Sequence, residues 1–144
     1  RPSSPSVLPA SRCGRCSTRG AVMGPHVPLC DIATDFGPTD LMVTSLERGR
    51  SLARSLGSAR VALMRGHGCV VVGASIPEVV FVAVYTQLNA QIQLQVQQLG
   101  GARFLTAEEI ELAAARQLQP LPIQKAWGYW RTKAHDRGSF SVPW

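Results

Sequence analysis

"LMRGHGCVVVGAS", residues 63–75, holds the reading of the fold. An apolar run stops at Arg65, Gly66 and Gly68 bracket a single imidazole at His67, and a second apolar run begins at once. Val61 and Leu63 on one side, and Cys69 to Val72 on the other, fit two short buried strands joined through Arg65–Gly68. The question is whether this turn merely tolerates a histidine or aims one.

Outward from the hairpin, three helices announce their starts in one way. Thr44-x-x-Glu47, Ser75-x-x-Glu78 and Thr106-x-x-Glu109 each place a hydroxyl at an N-cap and a carboxylate three residues on. The first helix is expected to end at Gly57. The second carries Pro77 in its first turn and runs to about Leu99, before Gly100-Gly101. The third spans about Ala107 to Leu118, ahead of Pro120. A last helix, about Ile123 to Lys133, puts Ile123, Ala126, Trp127 and Trp130 on one stripe. The second helix is apolar nearly all round from Ile76 to Val84, which predicts burial on several sides, between the sheet and another subunit. Before the first helix, "VPLCDI" reads as a short strand and "ATDFGPTD" as turns. Strand, helix, hairpin and three helices give a layered α/β domain with a mixed or antiparallel sheet.

The 144 residues suit one ordinary domain. The net charge of +6 is uneven, because residues 1–30 hold Arg1, Arg12, Arg15 and Arg19 with no acid. The remainder carries eleven bases against nine acids, so the basic character belongs to the N-terminal fifth. No aromatic precedes Phe36, and a basic strip without interleaved aromatics disfavours nucleic acid. No apolar run approaches the roughly 20 residues that span a bilayer. The first residues also lack the apolar centre of a secretory signal. A cytoplasmic chain without a membrane partner is the expectation. Residues 1–23 are rich in Ser, Arg and Pro and read as disordered or loosely attached, with 24–134 as the domain and 135–144 as a tail. Cys13, Cys16, His26 and Cys30 have the donor types of a zinc knuckle, but their spacing matches no compact one.

The hairpin and the helix after it, "VALMRGHGCVVVGASIPEVVFVAVYTQLNAQIQLQ", resemble the C-terminal half of the class II aldolase/adducin family. The likeness extends back through "VPLCDIATDFGPTDLMV" and forward to "FLTAEEI" and "KAWGYWRTKA", covering roughly residues 24–134. It is tightest with a subgroup of decarboxylases acting on breakdown products of hydroxylated aromatic acids. The resemblance implies a layered α/β/α domain, incomplete at its N-terminus, and a homo-oligomer, a tetramer in the family. It also implies a divalent metal, usually zinc, held by three histidines, two in an H-x-H motif and the third in a His-Gly turn. His67 matches that third ligand. Such a metal acts as a Lewis acid on the enediolate left by carbon–carbon cleavage or decarboxylation of a small anionic or hydroxy-carbonyl substrate. Arg65 has two readings, a contact to an anionic group of that substrate or, the commoner case, a snorkelling charge at a strand end. Tyr85, Trp127 and Trp130 read as core or interface aromatics rather than substrate contacts.

The chain departs from the family pattern in one respect that matters. Its three histidines, His26, His67 and His135, form no H-x-H, and the family's upstream carboxylate is missing, so no catalytic residue is carried over. The expected function is therefore a metal-dependent lyase represented by its C-terminal part, truncated and inactive unless the other ligands are supplied. The alternative is a non-catalytic, adducin-like oligomerisation module. The family pattern also fades before Val22. Back-translated with GC-rich codons and read one base earlier, Arg12–Thr18 yields Pro-Leu-Arg-Pro-Val-Phe-His, which suits the family better and suggests a segment out of frame.

Overall fold

The computed structural model describes residues 14–101 and 103–136. A three-stranded mixed sheet has the order β1-β2-β3, with β1 at Leu29–Cys30, β2 at Val61–Met64 and β3 at Gly68–Val71. β1 runs parallel to β2, with Leu29 opposite Leu63, and β2 pairs antiparallel with β3, with Val61 opposite Val71 and Met64 opposite Gly68. The hairpin joins the two strands expected, but the second is an edge strand and not buried as expected: Cys69 is exposed, Val70 and Val71 are half-buried, and Val72 just beyond it is exposed. Five helices complete the mixed α/β fold: α1 (Ile32–Phe36), α2 (Leu46–Leu56), α3 (Ile76–Gln98), α4 (Ala107–Gln117) and α5 (Pro120–Asp136). Among the described residues no helix is long and apolar enough to cross a membrane.

The caps show how local chemistry sets these boundaries. Thr106 and Glu109 form the full reciprocal box, each side chain accepting from the other's backbone N–H. Ser75 accepts from the Glu78 N–H, while the Glu78 carboxylate reaches one residue further back, to the Ala74 N–H. At α2 the cap is Ser45 rather than the expected Thr44. The Thr44 hydroxyl instead accepts from the Arg48 guanidinium, which also reaches Asp40 and the Met42 carbonyl. Where a strand was expected to end at Ile32 and turns to follow, Ile32–Phe36 closes about one and a half turns of helix, with Asp31 accepting from the Ala33 N–H. α5 starts at Pro120, three residues earlier than its apolar stripe suggests, since proline in a first turn forfeits no intrahelical bond.

The largest departure lies before residue 24. The expected loose segment packs over its described part: Gly20–Met23 forms a 3-10 helix whose Ala21, Val22 and Met23 are fully buried. Val22 and Met23 join Val27, Val61, Phe81, Val82 and Ile123 in one core cluster, against which Tyr85, Ala126 and Trp130 also pack. Arg15, among the most buried polar residues, donates from Nε and Nη2 to the Gly24 carbonyl at 2.9 and 2.6 Å. Three cheap local features explain why composition misled: the arginine finds a carbonyl, and both Gly14 and Gly20 allow close backbone approach, to Phe104 and Asn89 respectively. Cys13 lies outside the described residues.

α3 is less enclosed in this single chain than its composition predicts. Phe81, Val82, Thr86 and Asn89 are buried, whereas Val79, Val80 and Val84 are only half-buried and Ile76 is 72% exposed.

Candidate functional site

β2 is the central strand, with Val61 and Ala62 fully buried, so it projects its C-terminal end from the best-anchored part of the sheet. Three residues, Arg65–His67, reverse the chain between Met64 and Gly68. Gly66 and Gly68 have φ of 69° and 140°, values that side chains with a Cβ resist. The turn closes when the His67 N–H donates to the Met64 carbonyl at 3.1 Å. His67 itself is exposed. The sequence therefore puts an imidazole at the tip of a hairpin whose turn residues, 65–68, are exposed.

Neighbours supply the constraints. The Arg65 N–H donates to the Cys30 carbonyl at 3.0 Å, extending the β1–β2 ladder by one residue. The Arg65 Nε forms an ion pair with Asp31 Oδ2 at 2.7 Å. The other Asp31 oxygen accepts from the Ala33 N–H at 3.0 Å. Leu41, in the loop before α2, is the one non-glycine residue at positive φ (62°) among those described. Its Cδ1 lies 3.0 Å from where a Cβ on Gly66 would stand. That loop is held by Asp40, which pairs with Arg48 at 2.9 Å. Neither the Asp31–Arg65 pair nor the Leu41 contact was visible from the sequence. Asp31 falls in the stretch read as a strand, and nothing in spacing links it to an arginine so distant along the chain.

The Arg65 side chain holds the Asp31 carboxyl below its usual range, helped by the Ala33 N–H and opposed by partial desolvation. The sign follows from that direction. The folded form binds its proton less readily than the unfolded chain, so the contribution is present above the ordinary carboxylate range and is lost as pH falls through the depressed value. In a carbon-13 NMR titration, Asp31 is expected to titrate at lower pH than in the Arg65→Met variant. Equal midpoints would show that the ion pair does not persist in solution.

The donor set for a metal is incomplete here. Among the described residues no three His, Cys, Asp or Glu side chains converge closely enough to hold an ion. His67 offers one imidazole, and a protein zinc site ordinarily takes three or four ligands. The described residues do not by themselves fit the expected zinc site. The described knuckle donors, Cys16, His26 and Cys30, do not converge either: Cys30 is buried in β1 while His26 is exposed. Clefts indent the surface elsewhere among the described residues. One of about 340 Å³ lies between Pro25–His26 and Ser55–Arg60, and another of about 510 Å³ is lined by Arg19, Tyr85, Lys125, Tyr129 and Trp130. Neither reaches His67 or Arg65.

Comparison with known proteins decides the family. The family model described as "Class II Aldolase and Adducin N-terminal domain" matches residues 7–94. The chain belongs to the class II aldolase and adducin family. The match takes in the hairpin, His67 and most of α3, and it begins well before the residue 24 boundary expected from composition. The chain is also similar to Decarboxylase tropJ of Talaromyces stipitatus, at 28% identity over 146 aligned positions. That alignment covers 88% of this chain and 55% of the relative, so the chain spans about half the length of the curated protein it matches.

Proposed function

We propose that this chain is part of a lyase of the class II aldolase type, acting by decarboxylation or aldol cleavage on a small anionic or hydroxy-carbonyl compound. His67 is its contribution to the reaction site. The observation that carries the reading is the exposed imidazole on a glycine-flanked turn at the end of the central strand. The family membership and the similarity to a decarboxylase support it. Both reactions leave an electron pair beside a carbonyl, and both gain from a group that stabilises the resulting oxyanion. If that group is the family's divalent metal, zinc by the sequence reading, its other donors must come from polypeptide beyond the described residues. Without them the chain would be inactive.

In this reading the described elements belong to a layered α/β/α domain that assembles as a cytoplasmic homo-oligomer. The exposed Ile76, Leu94, Leu112 and Tyr129 are apolar surface that assembly would cover. The same surfaces, with the absence of a three-donor cluster among the described residues, favour the second reading, a non-catalytic interaction module.

Zinc titration followed by calorimetry, made on the chain joined to the polypeptide that supplies the other donors and run alongside sedimentation, separates the two. The lyase reading expects binding that His67→Ala weakens at least about tenfold, the least that losing a metal's protein partner costs. Zinc binding indifferent to His67→Ala, or a stable oligomer that binds none, would leave the interaction module as the better description.

A further inference from the structure

Building on that reading of His67, we propose that Asp31 and Arg65 form a positioning pair that fixes the direction in which the His67 turn is presented. A turn built on two glycines at positive φ has no side-chain packing of its own to restrain it, and glycine surrenders more backbone freedom than any other residue when ordered. An imidazole carried on such a turn would sweep a wide arc unless something outside the turn stopped it.

Arg65, the first turn residue, is held at two points by consecutive residues of one neighbouring segment. Its N–H is bonded to the Cys30 carbonyl and its guanidinium is paired with Asp31. The Asp31 carboxylate is in turn oriented by the Ala33 N–H at the start of α1, so it is a fixed acceptor rather than a drifting one. Arg65 is exposed and Asp31 half-exposed, at 45% and 32% of their side-chain surface. An ion pair so placed adds little to global stability. Its geometric consequence is larger, because it ties the hairpin tip to the β1–α1 junction. The Leu41 side chain adds a second brace against Gly66, from a residue held at a φ that costs a non-glycine residue energy. Strain retained at that point suits a loop whose task is to support the turn. Arg65 thus acts on the turn, through Asp31, instead of reaching out to substrate.

The test uses the full chain labelled for NMR, with His26 and His135 as internal references, since all three imidazoles are exposed. Asp31→Asn keeps a side-chain oxygen for the α1 cap and removes the charge that holds Arg65. The expected result is about two- to fivefold faster exchange of the His67 amide, the range set by the usual worth of an exposed ion pair. Relaxation of the His67 ring should report greater mobility, with His26, His135 and the melting temperature unchanged. Arg65→Met should do the same, and the double variant no more than either. Leu41→Gly, which keeps the backbone comfortable at φ 62°, should also loosen His67. An unchanged His67 in both Asp31→Asn and Arg65→Met would overturn the proposal, as would a change shared equally by all three histidines. Either of those outcomes with a His67-dependent zinc site intact would defeat the positioning pair alone and leave the lyase reading standing.

Discussion

Phe81→Ala lowers the unfolding free energy by about 3–5 kcal/mol, the usual cost of truncating a buried phenylalanine. Phe81 is 2% exposed and sits where α3 meets the rest of the core. Its ring stands edge-on to Tyr85 at 4.7 Å and tilted to Trp130 at 6.1 Å, so truncation also leaves two aromatic neighbours facing a void. Small domains hold only about 5–15 kcal/mol in total, so the variant should be largely unfolded well below the melting temperature of the parent. Urea denaturation followed by tryptophan fluorescence reads it directly, because Trp130 is one of the reporters. Tyr129→Ala, at a position 61% exposed, is the matched control and should lose well under about 1 kcal/mol. If the two variants were equally stable, the core would have to be centred away from α3.

The second large effect is expected from a polar residue. Asn89 is 1% exposed on α3, and its amide makes two bonds to the segment before the 3-10 helix: Oδ1 accepts from the Cys16 N–H at 3.0 Å, and Nδ2 donates to the Gly14 carbonyl at 2.9 Å. Asn89→Ala removes both and leaves a cavity where the amide stood. At about 1–3 kcal/mol for each buried group that loses its partner, a loss of roughly 2–4 kcal/mol is expected. Asn89→Asp, which cannot donate and sets a buried carboxylate against the Gly14 carbonyl, should lose at least as much as Asn89→Ala. A local signature accompanies the loss: amides of residues 14–23 should exchange faster than those of β2, since the tie between this segment and α3 has been cut. Uniform exchange across both regions, with no change in stability, would mean that the segment docks through its apolar residues alone. The Gly20 backbone passes so near this amide that Gly20→Ala would overlap the Asn89 side chain.

These two residues mark where reading from sequence succeeds and where it stops. Phe81 lies in a run of apolar residues at helical spacing behind a Ser-x-x-Glu cap, and both signals are local. The hairpin was equally legible: an apolar run on either side of two glycines predicts two strands and one turn, and the strands pair Val61 with Val71. Asn89 carried no such signal. A glutamine- and asparagine-rich half-helix looks like a solvated face, and only the arrival of residues 14–16 turns one of its amides inward. The same holds for Arg15, whose composition-level reading was a solvated tail and whose guanidinium is instead spent on a carbonyl.

For the candidate site the division is sharper. The sequence determined that His67 sits in a glycine-flanked turn between two strands, because backbone conformation and strand periodicity are properties of adjacent residues. It also carried the family resemblance, since the motif that conveys it is contiguous. Only the tertiary structure decided which residues steady that turn, because Asp31 and Leu41 reach it through chain reversals that close long loops, and no local preference encodes them. The burial of residues 14–23 was decided in the same way: a segment with weak local preferences takes its conformation from the surface it lands on, here α3 and the amide of Asn89.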